Sequence, residues 1–364
     1  MKFRTQRNSL LDALSKTVPI AERRSPLPIL SHILIIAEQG QLTLTATDLE
    51  VGLRLVFECE VEQTGQIAVP SKKLLEITRE LSSTELDVES TDQNRIKLTS
   101  GESDFQLAAM DASDYPAFPA FDNTTSALID AKKLAYMIEK TIFASSNDES
   151  RLNLNGVLFE PNDDKMKLIA TDGHRLAFIN DVVGLSLESS IIVPKKSLIE
   201  LDRVLESVTG NVTLGFEEKN MIISTEQFTL TMRLIDGEFP EYQRVIPQDK
   251  PQLIKVDRQK LVQALRRVAV FTSDRNKGIE IKGQANRLEF KSTHPDLGTA
   301  RDVIDVEYQG KDFNLLINVA YMLDAINSID TDTVQLEYIM PGKPVIFRPS
   351  DDTHYFNLVM PMSK

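Results

Sequence analysis

Cysteine is almost missing from this chain. The single thiol, Cys59, sits in the alternating run Phe57-Glu58-Cys59-Glu60. One cysteine can close no intrachain disulfide and build no Cys-rich zinc site. It reads as a small apolar strand residue, and a reducing compartment fits. Long apolar runs are missing too: none approaches the ~18 residues that span a bilayer. The opening MKFRTQRNSLLDALSK has no apolar core of the secretion-signal type, so a cytoplasmic protein is expected. There is no GxxxxGK[ST] loop to cradle ATP, and no metal-ligand cluster is visible, so neither a cofactor nor a metal is expected. Basic charge is scarce: 41 Lys and Arg face 54 Asp and Glu, a net charge of −13. As a sum, that speaks against nucleic acid, because phosphate binding is driven by Lys and Arg.

What the chain does contain is repetition. Its 364 residues predict two or three domains at ~150 residues each. VPSKKLLEITREL starts at Val69 and VPKKSLIELDRVL at Val193, an offset of 124. LTLTATDLE at Leu42 and MKLIATDGH at Met166 share that offset, as do Leu34 with Leu158, Leu10 with Leu134 and Pro116 with Pro240. A third copy is weaker: INVAYMLDAINSI at Ile317 lies a further 124 on, and LEFKSTH at Leu288 takes the place of MKLIATD. A constant offset over separated blocks implies duplication. The expected domains are 1–124, 125–250 and 251–364.

Each copy repeats the same order of elements. A helix-period stretch (Leu10, Leu11, Leu14) precedes the strand-like runs His32–Ala37 and Leu42–Thr47. Val69-Pro70 leads into a second helix, and alternating runs follow at 85–90, 95–100 and 105–109. Gly40, Gly65 and Gly101 serve as turn signals. The expected class is α+β, with two helices per domain packed on antiparallel sheets.

The six predicted helices (7–16, 71–81, 131–140, 195–205, 258–267, 319–329) hold 15 Lys and Arg but only 7 Asp and Glu. The helices are therefore net +8 and the remainder −21. Lys and Arg are good helix formers, but Glu is equally good and is comparatively scarce here. A segregated field of this kind draws a polyanion to one surface and repels it elsewhere. Suppose the helices line a hole. With axes ~10 Å apart, six helices leave a lumen of about 8 Å, whereas twelve leave roughly 27 Å, wide enough for a duplex. Two chains closed head to tail supply twelve.

ATDLE (46–50), ATDGHRLA (170–177), DGEFPEYQRVIP (236–247) and the terminal VMPM (359–362) resemble the bacterial DNA polymerase III beta subunit family, the sliding clamps. The resemblance covers the whole chain. It implies three repeated DNA-clamp domains, a ring-shaped head-to-tail homodimer and twelve helices around duplex DNA. It implies no catalysis. The family tethers the replicative polymerase catalytic subunit to its template, and an ATP-driven clamp loader opens the ring. Other replication and repair proteins carrying a clamp-binding motif are further implied partners, and no membrane is.

The resemblance also implies a pocket for partner peptides between the second and third domains. The matching positions are Leu154, Thr171, Gly173, His174, Arg175 and Leu176, then Pro240, Arg244 and Val245. The third domain supplies Asn318, Tyr321, Val359, Met360, Pro361 and Met362. Adaptable Met side chains and aliphatic walls with a few polar groups suit such a cleft. The first copy reads Thr47-Asp48-Leu49-Glu50, so the Asp is a feature of the fold and Gly173-His174-Arg175 is special to the second copy. The terminal Met362-Ser363-Lys364 departs from the Arg and Leu common in the family.

Arg24 matches a DNA-facing loop arginine, doubled by Arg23; Lys72, Lys73, Lys195, Lys196, Arg266 and Arg267 are further DNA-facing candidates. Leu152 and Asn153 stand where relatives can carry tyrosines. Phe105 and Leu107, with Val270 and Phe271, match the dimer contact. Two other readings stay open at this point: a hydrolase using Asp172 and His174, and a repeat scaffold that binds only proteins.

Overall fold

The computed structural model describes residues 1–364 apart from 22–26, 92–93, 120–125, 149, 164, 184–188, 218, 274–276 and 364. Among the described residues are six α-helices: α1 (Arg7–Thr17), α2 (Ser71–Glu80), α3 (Ala131–Ile142), α4 (Lys195–Leu205), α5 (Arg258–Ala269) and α6 (Val319–Asn327). Each coincides with a predicted helix to within a few residues. The local causes are visible in α5. Asp257 caps its N-terminus, accepting the Lys260 amide at 2.8 Å. Leu261, Val262, Ala264, Leu265 and Val268 are buried, while Arg266 and Arg267 are exposed. Asn318 caps α6 in the same way, accepting from Ala320 and Tyr321.

The chain forms two compact units. The first comprises residues 1–133 and 196–234. It contains an antiparallel five-stranded sheet in the order Glu60–Gln63, Lys2–Gln6, Glu85–Thr91, Arg95–Ser100, Ser103–Ala108. Its eight-stranded sheet runs Ser126–Asp130, Asn211–Glu217, Asn220–Ser224, Phe228–Arg233, Val51–Glu58, Gln41–Thr47, His32–Glu38, Gly65–Pro70. Helices α1 and α2 pack on each other, and α1 lies on the strands Gln41–Thr47 and Val51–Glu58. Leu10, Leu14, Leu44 and Leu53 are buried there. Each such side chain contributes about 2 kcal/mol through burial. Gly65 opens a strand rather than making a turn: a Cβ there would lie 2.8 Å from the Met1 Cβ, so the glycine permits close packing.

The second unit comprises residues 134–195 and 235–364. Its eight-stranded sheet runs Ile191–Pro194, Gly156–Asn162, Lys165–Thr171, Arg175–Val182, Tyr355–Val359, Val345–Pro349, Thr333–Tyr338, Gln252–Asp257. Its four-stranded sheet runs Gly298–Asp305, Arg287–His294, Gly278–Gln284, Phe313–Asn318.

The two large sheets are stitched by one rule. In the first unit, Val51–Glu58 of the first repeat pairs with Phe228–Arg233, the last strand of the second. In the second unit, Arg175–Val182 of the second repeat pairs with Tyr355–Val359, the last strand of the third. Applied once more, the rule would join Gly298–Asp305 of the third repeat to Ser103–Ala108 of the first. Both of these strands stand at a sheet edge in this chain.

Candidate functional site

The turn after Lys165–Thr171 organises the site. Asp172 Oδ1 accepts the amides of His174 and Arg175 at 2.9 and 3.1 Å. Thr171 donates its hydroxyl to the Arg175 carbonyl at 2.6 Å and accepts the Gly173 amide at 3.1 Å. The first repeat builds the same turn: Asp48 accepts from Glu50 and Val51, and Thr47 bonds Leu49 and Val51. Both turns need a left-handed residue, Gly173 at φ +89° and Leu49 at φ +75°. The aspartate is thus a turn-former in both copies. Its carboxylate takes backbone N–H groups and the Arg175 Nε at 3.0 Å, and its bond to His174 is to the amide and not the ring. Both carboxylate oxygens of Asp172 are thereby committed to the turn and to Arg175.

Arg175 is held from several sides. Beyond Asp172, its Nη2 donates to the Phe143 carbonyl at 2.7 Å and its Nη1 pairs with Asp324 on α6. Its guanidinium lies 4.5 Å from the Tyr321 ring centroid. The side chain is only 13% exposed, so its hydrogen bonds are spent within the protein. Tyr321 in turn stacks with the His174 ring at 6.4 Å. Burial pushes the Tyr321 phenol pKa up.

The C-terminal strand supplies the next wall. Val359 lies opposite Arg175, and Leu358 opposite Leu176. The Met360 amide donates to the His174 carbonyl at 2.8 Å. Pro361 then bridges Ile317, and the Met362 amide donates to the Leu316 carbonyl at 2.8 Å. Val359 is buried, Met360 is half-buried and Met362 is exposed. The segment 239–246 closes the other side. Phe239, Tyr242 and Ile246 pack with Leu158, Leu176, Phe356 and Met360, leaving Pro240, Arg244 and Val245 exposed. The Tyr242 hydroxyl donates to Glu160 at 3.0 Å. Asn153 donates to the Glu238 carbonyl at 2.9 Å, bringing the Leu152–Leu154 turn alongside; Leu154 itself is buried. Next to this apolar shelf lies a polar cleft of about 370 Å³, lined by Ser145, Ser146, Asn147, Asp148, Arg151, Asp172, His174, Arg175 and Tyr321. The structure brings Thr171, Gly173, His174, Arg175, Leu176, Tyr321, Val359 and Met360 together about the His174 turn, with Pro361 and Met362 against Ile317 and Leu316 and Asn318 capping α6; Leu154, Leu176 and Val359 are buried, and Pro240, Arg244 and Val245 stand exposed on the segment 239–246. It adds Arg151, Asn147 and Asp324, which no local motif marked.

Three family models together match nearly the whole chain. Residues 1–119 match the N-terminal domain of the DNA polymerase III beta subunit, 128–241 its central domain and 243–363 its C-terminal domain. The chain belongs to the DNA polymerase III beta subunit family. The beta sliding clamps of Pseudomonas putida and Pseudomonas aeruginosa are each 33% identical over 100% of both chains. The DnaN sliding clamp of Bartonella birtlesii, solved bound to griselimycin, superposes with a TM-score of 0.96 at 30% identity over 100% of both chains. The beta subunit of Pseudomonas aeruginosa gives 0.94 at 32%, again over 100% of both. The expected α+β sliding-clamp fold is thus the fold observed.

Measured against this sliding-clamp fold, the basic candidates differ in their surroundings. Arg23 and Arg24 lie outside the described residues. Lys72 and Lys73 are exposed on α2 and share Glu76. Lys195 is half-buried and donates to Asn147 at 2.9 Å; burial, then the nearby Arg175, lowers its pKa. Lys196 pairs with Asp48, Arg267 pairs with Asp302, and Arg266 is exposed. Lys140, counted in the basic total of α3, is buried and ion-paired, so its charge does not reach the surface. Phe105 and Leu107 are half-buried on the edge strand Ser103–Ala108; Val270 is 72% exposed just past α5, and Phe271 is half-buried.

Proposed function

We propose that two copies of this chain close head to tail into a ring around duplex DNA, and that the cleft of the second unit takes short peptides from the proteins the ring tethers. The observation that carries the ring is the stitching rule. Two repeat junctions inside the chain use a strand of one repeat against the last strand of the next. The third such pair, Gly298–Asp305 and Ser103–Ala108, is left at open edges, which a second copy would satisfy. Phe105, Leu107, Val270 and Phe271 sit on or beside those elements. The domain division 1–124, 125–250 and 251–364 follows the same repeat.

A ring holds DNA topologically, so tight phosphate contacts are unnecessary and would slow sliding. Helices with a net basic count keep the duplex centred by diffuse, salt-screened attraction, and an acidic remainder keeps DNA off the outside. This is the working of a processivity factor in the cytoplasm, opened by an ATP-driven loader and used by the replicative polymerase and by repair proteins. The cleft suits peptides because an exposed apolar shelf (Pro240, Val245, Met362) adjoins a polar cleft with His174 and Arg151. Griselimycin, bound in the Bartonella clamp, is a second ligand to try on this chain.

Solution mass tests the ring. Twice the chain mass at micromolar concentration is expected, with retention on closed circular DNA and loss from linear DNA. A strict monomer retained equally on both would overturn the proposal.

A further inference from the structure

Lys140 is a lysine on α3 that the helix charge count places among the DNA-attracting residues, yet its side chain is only 2% exposed. Its Nζ donates to the Ser328 carbonyl at 2.6 Å and to Asp330 Oδ1 at 2.7 Å. The ammonium lies 4.8 Å from the Tyr136 ring centroid and 5.9 Å from that of Tyr355. A buried ammonium needs such a full set of partners, because removing one leaves an uncompensated charge.

The partners lead to the peptide cleft. Ser328 is the C-cap of α6, where an ammonium also meets the negative end of the helix. The Tyr355 hydroxyl donates to Ser328 Oγ at 2.5 Å. Asn357 Nδ2 donates to the Ala325 carbonyl at 3.2 Å, to Ser328 Oγ at 3.1 Å and to the Tyr355 hydroxyl at 2.9 Å. Tyr355 and Asn357 belong to the strand that runs on into Met360 and Met362. One cation therefore ties the end of α3, the end of α6 and the C-terminal strand into one buried network. Helix α6 carries Tyr321 and Asp324, and the segment after α3 supplies the carbonyl that holds Arg175.

We propose that Lys140 is a positioning residue of the peptide cleft: through Ser328, Tyr355 and Asn357 it sets the register of the C-terminal wall against α6 and the His174 turn. The inference rests on the reading that this cleft takes partner peptides. The test uses the full chain and a fluorescein-labelled peptide copying the C-terminal tail of the replicative polymerase from the same cell. Lys140→Met is expected to weaken the peptide roughly tenfold and Asp330→Asn roughly threefold, the range for network residues that never touch the ligand. Asp330 is 63% exposed, so water reaches the place of its lost charge, and a thermal melt of each variant checks that it is folded at the assay temperature. Combining Lys140→Met with Met362→Ala distinguishes positioning from general loosening. If Lys140 acts through the C-terminal wall, the loss from Lys140→Met shrinks once Met362 is truncated; a merely structural role gives additive losses. Affinity within about twofold of the unsubstituted chain for both single variants, or additivity in the double variant, overturns the inference while leaving the cleft reading intact. Failure of the unsubstituted chain to bind the peptide overturns both.

Discussion

Replacing Arg175 by lysine removes the fork while keeping the charge. The guanidinium makes three charge-assisted contacts, to Asp172, Asp324 and the Phe143 carbonyl, and lies over Tyr321. A lysine is a point charge that can keep about one of these. Each charge-assisted bond is worth about 1.5–3 kcal/mol. Some of the loss is recovered: the Asp324 side chain is 48% exposed and takes up water, and Asp172 keeps its two amide donors. A net cost of about 2 kcal/mol remains, equal to roughly thirtyfold in affinity where binding needs the turn in place. The assay is anisotropy of the labelled polymerase-tail peptide, with hydrogen exchange across 171–176 as the local readout. Arg175→Lys is expected to weaken binding and speed exchange at the Gly173 and His174 amides. Asp324→Asn is expected to weaken binding in the same direction by a smaller factor. Unchanged affinity and exchange in Arg175→Lys would refute the supporting role. So would a loss in Arg175→Lys with none in Asp324→Asn, because that pattern marks direct contact with the peptide.

Ending the chain after Met360 is expected to reduce peptide affinity at least roughly tenfold while leaving the dimer mass unchanged, because it removes an exposed wall and keeps the buried Val359 pairing. Burial pushes the Cys59 thiol up to about 11. At pH 8 the native thiol has about a hundredfold smaller thiolate fraction than in the unfolded chain, whose thiol has the ordinary value near 9, so it should alkylate more slowly by roughly tenfold once the greater nucleophilicity of a more basic thiolate is allowed for. Between those values the unfolded chain releases a proton that the folded chain keeps, so this group's contribution makes stability fall as pH rises from about 9 to 11; Cys59→Ala should remove that part of the slope in a thermal-midpoint series. Phe105→Ala with Leu107→Ala should shift the mass measured in solution toward one chain, since each truncation costs about 2–4 kcal/mol at a packed contact.

Much of the fold was legible because its signals are local. The helices carry their own periodicity, and α5 and α6 their own side-chain caps, Asp257 and Asn318. The 124-residue offset alone makes the Asp48 and Asp172 turns comparable. What sequence reading missed depends on long-range pairing. Tyr355–Val359 lies beside Arg175–Val182 across some 180 residues of chain, and no local pattern encodes that register. The burial of Lys140 is a consequence of the same pairing: on α3 alone it is one more basic residue at helical spacing. Arg175 matched a peptide-site position by motif, but only the three-dimensional placement of Phe143 and Asp324 shows its guanidinium to be occupied within the protein. Asp324 could have been flagged as the one charged residue of α6, though nothing in the sequence named its partner.

The central claim is that the chain surrounds DNA instead of adhering to it. The most direct measurement is to load the protein onto nicked circular DNA, remove free protein, and then linearise the circle with a restriction enzyme. A topological clamp remains on the circle and is lost from the ends once the circle is cut. Protein that stays bound after linearisation, with the same dependence on salt as before the cut, would contradict the account.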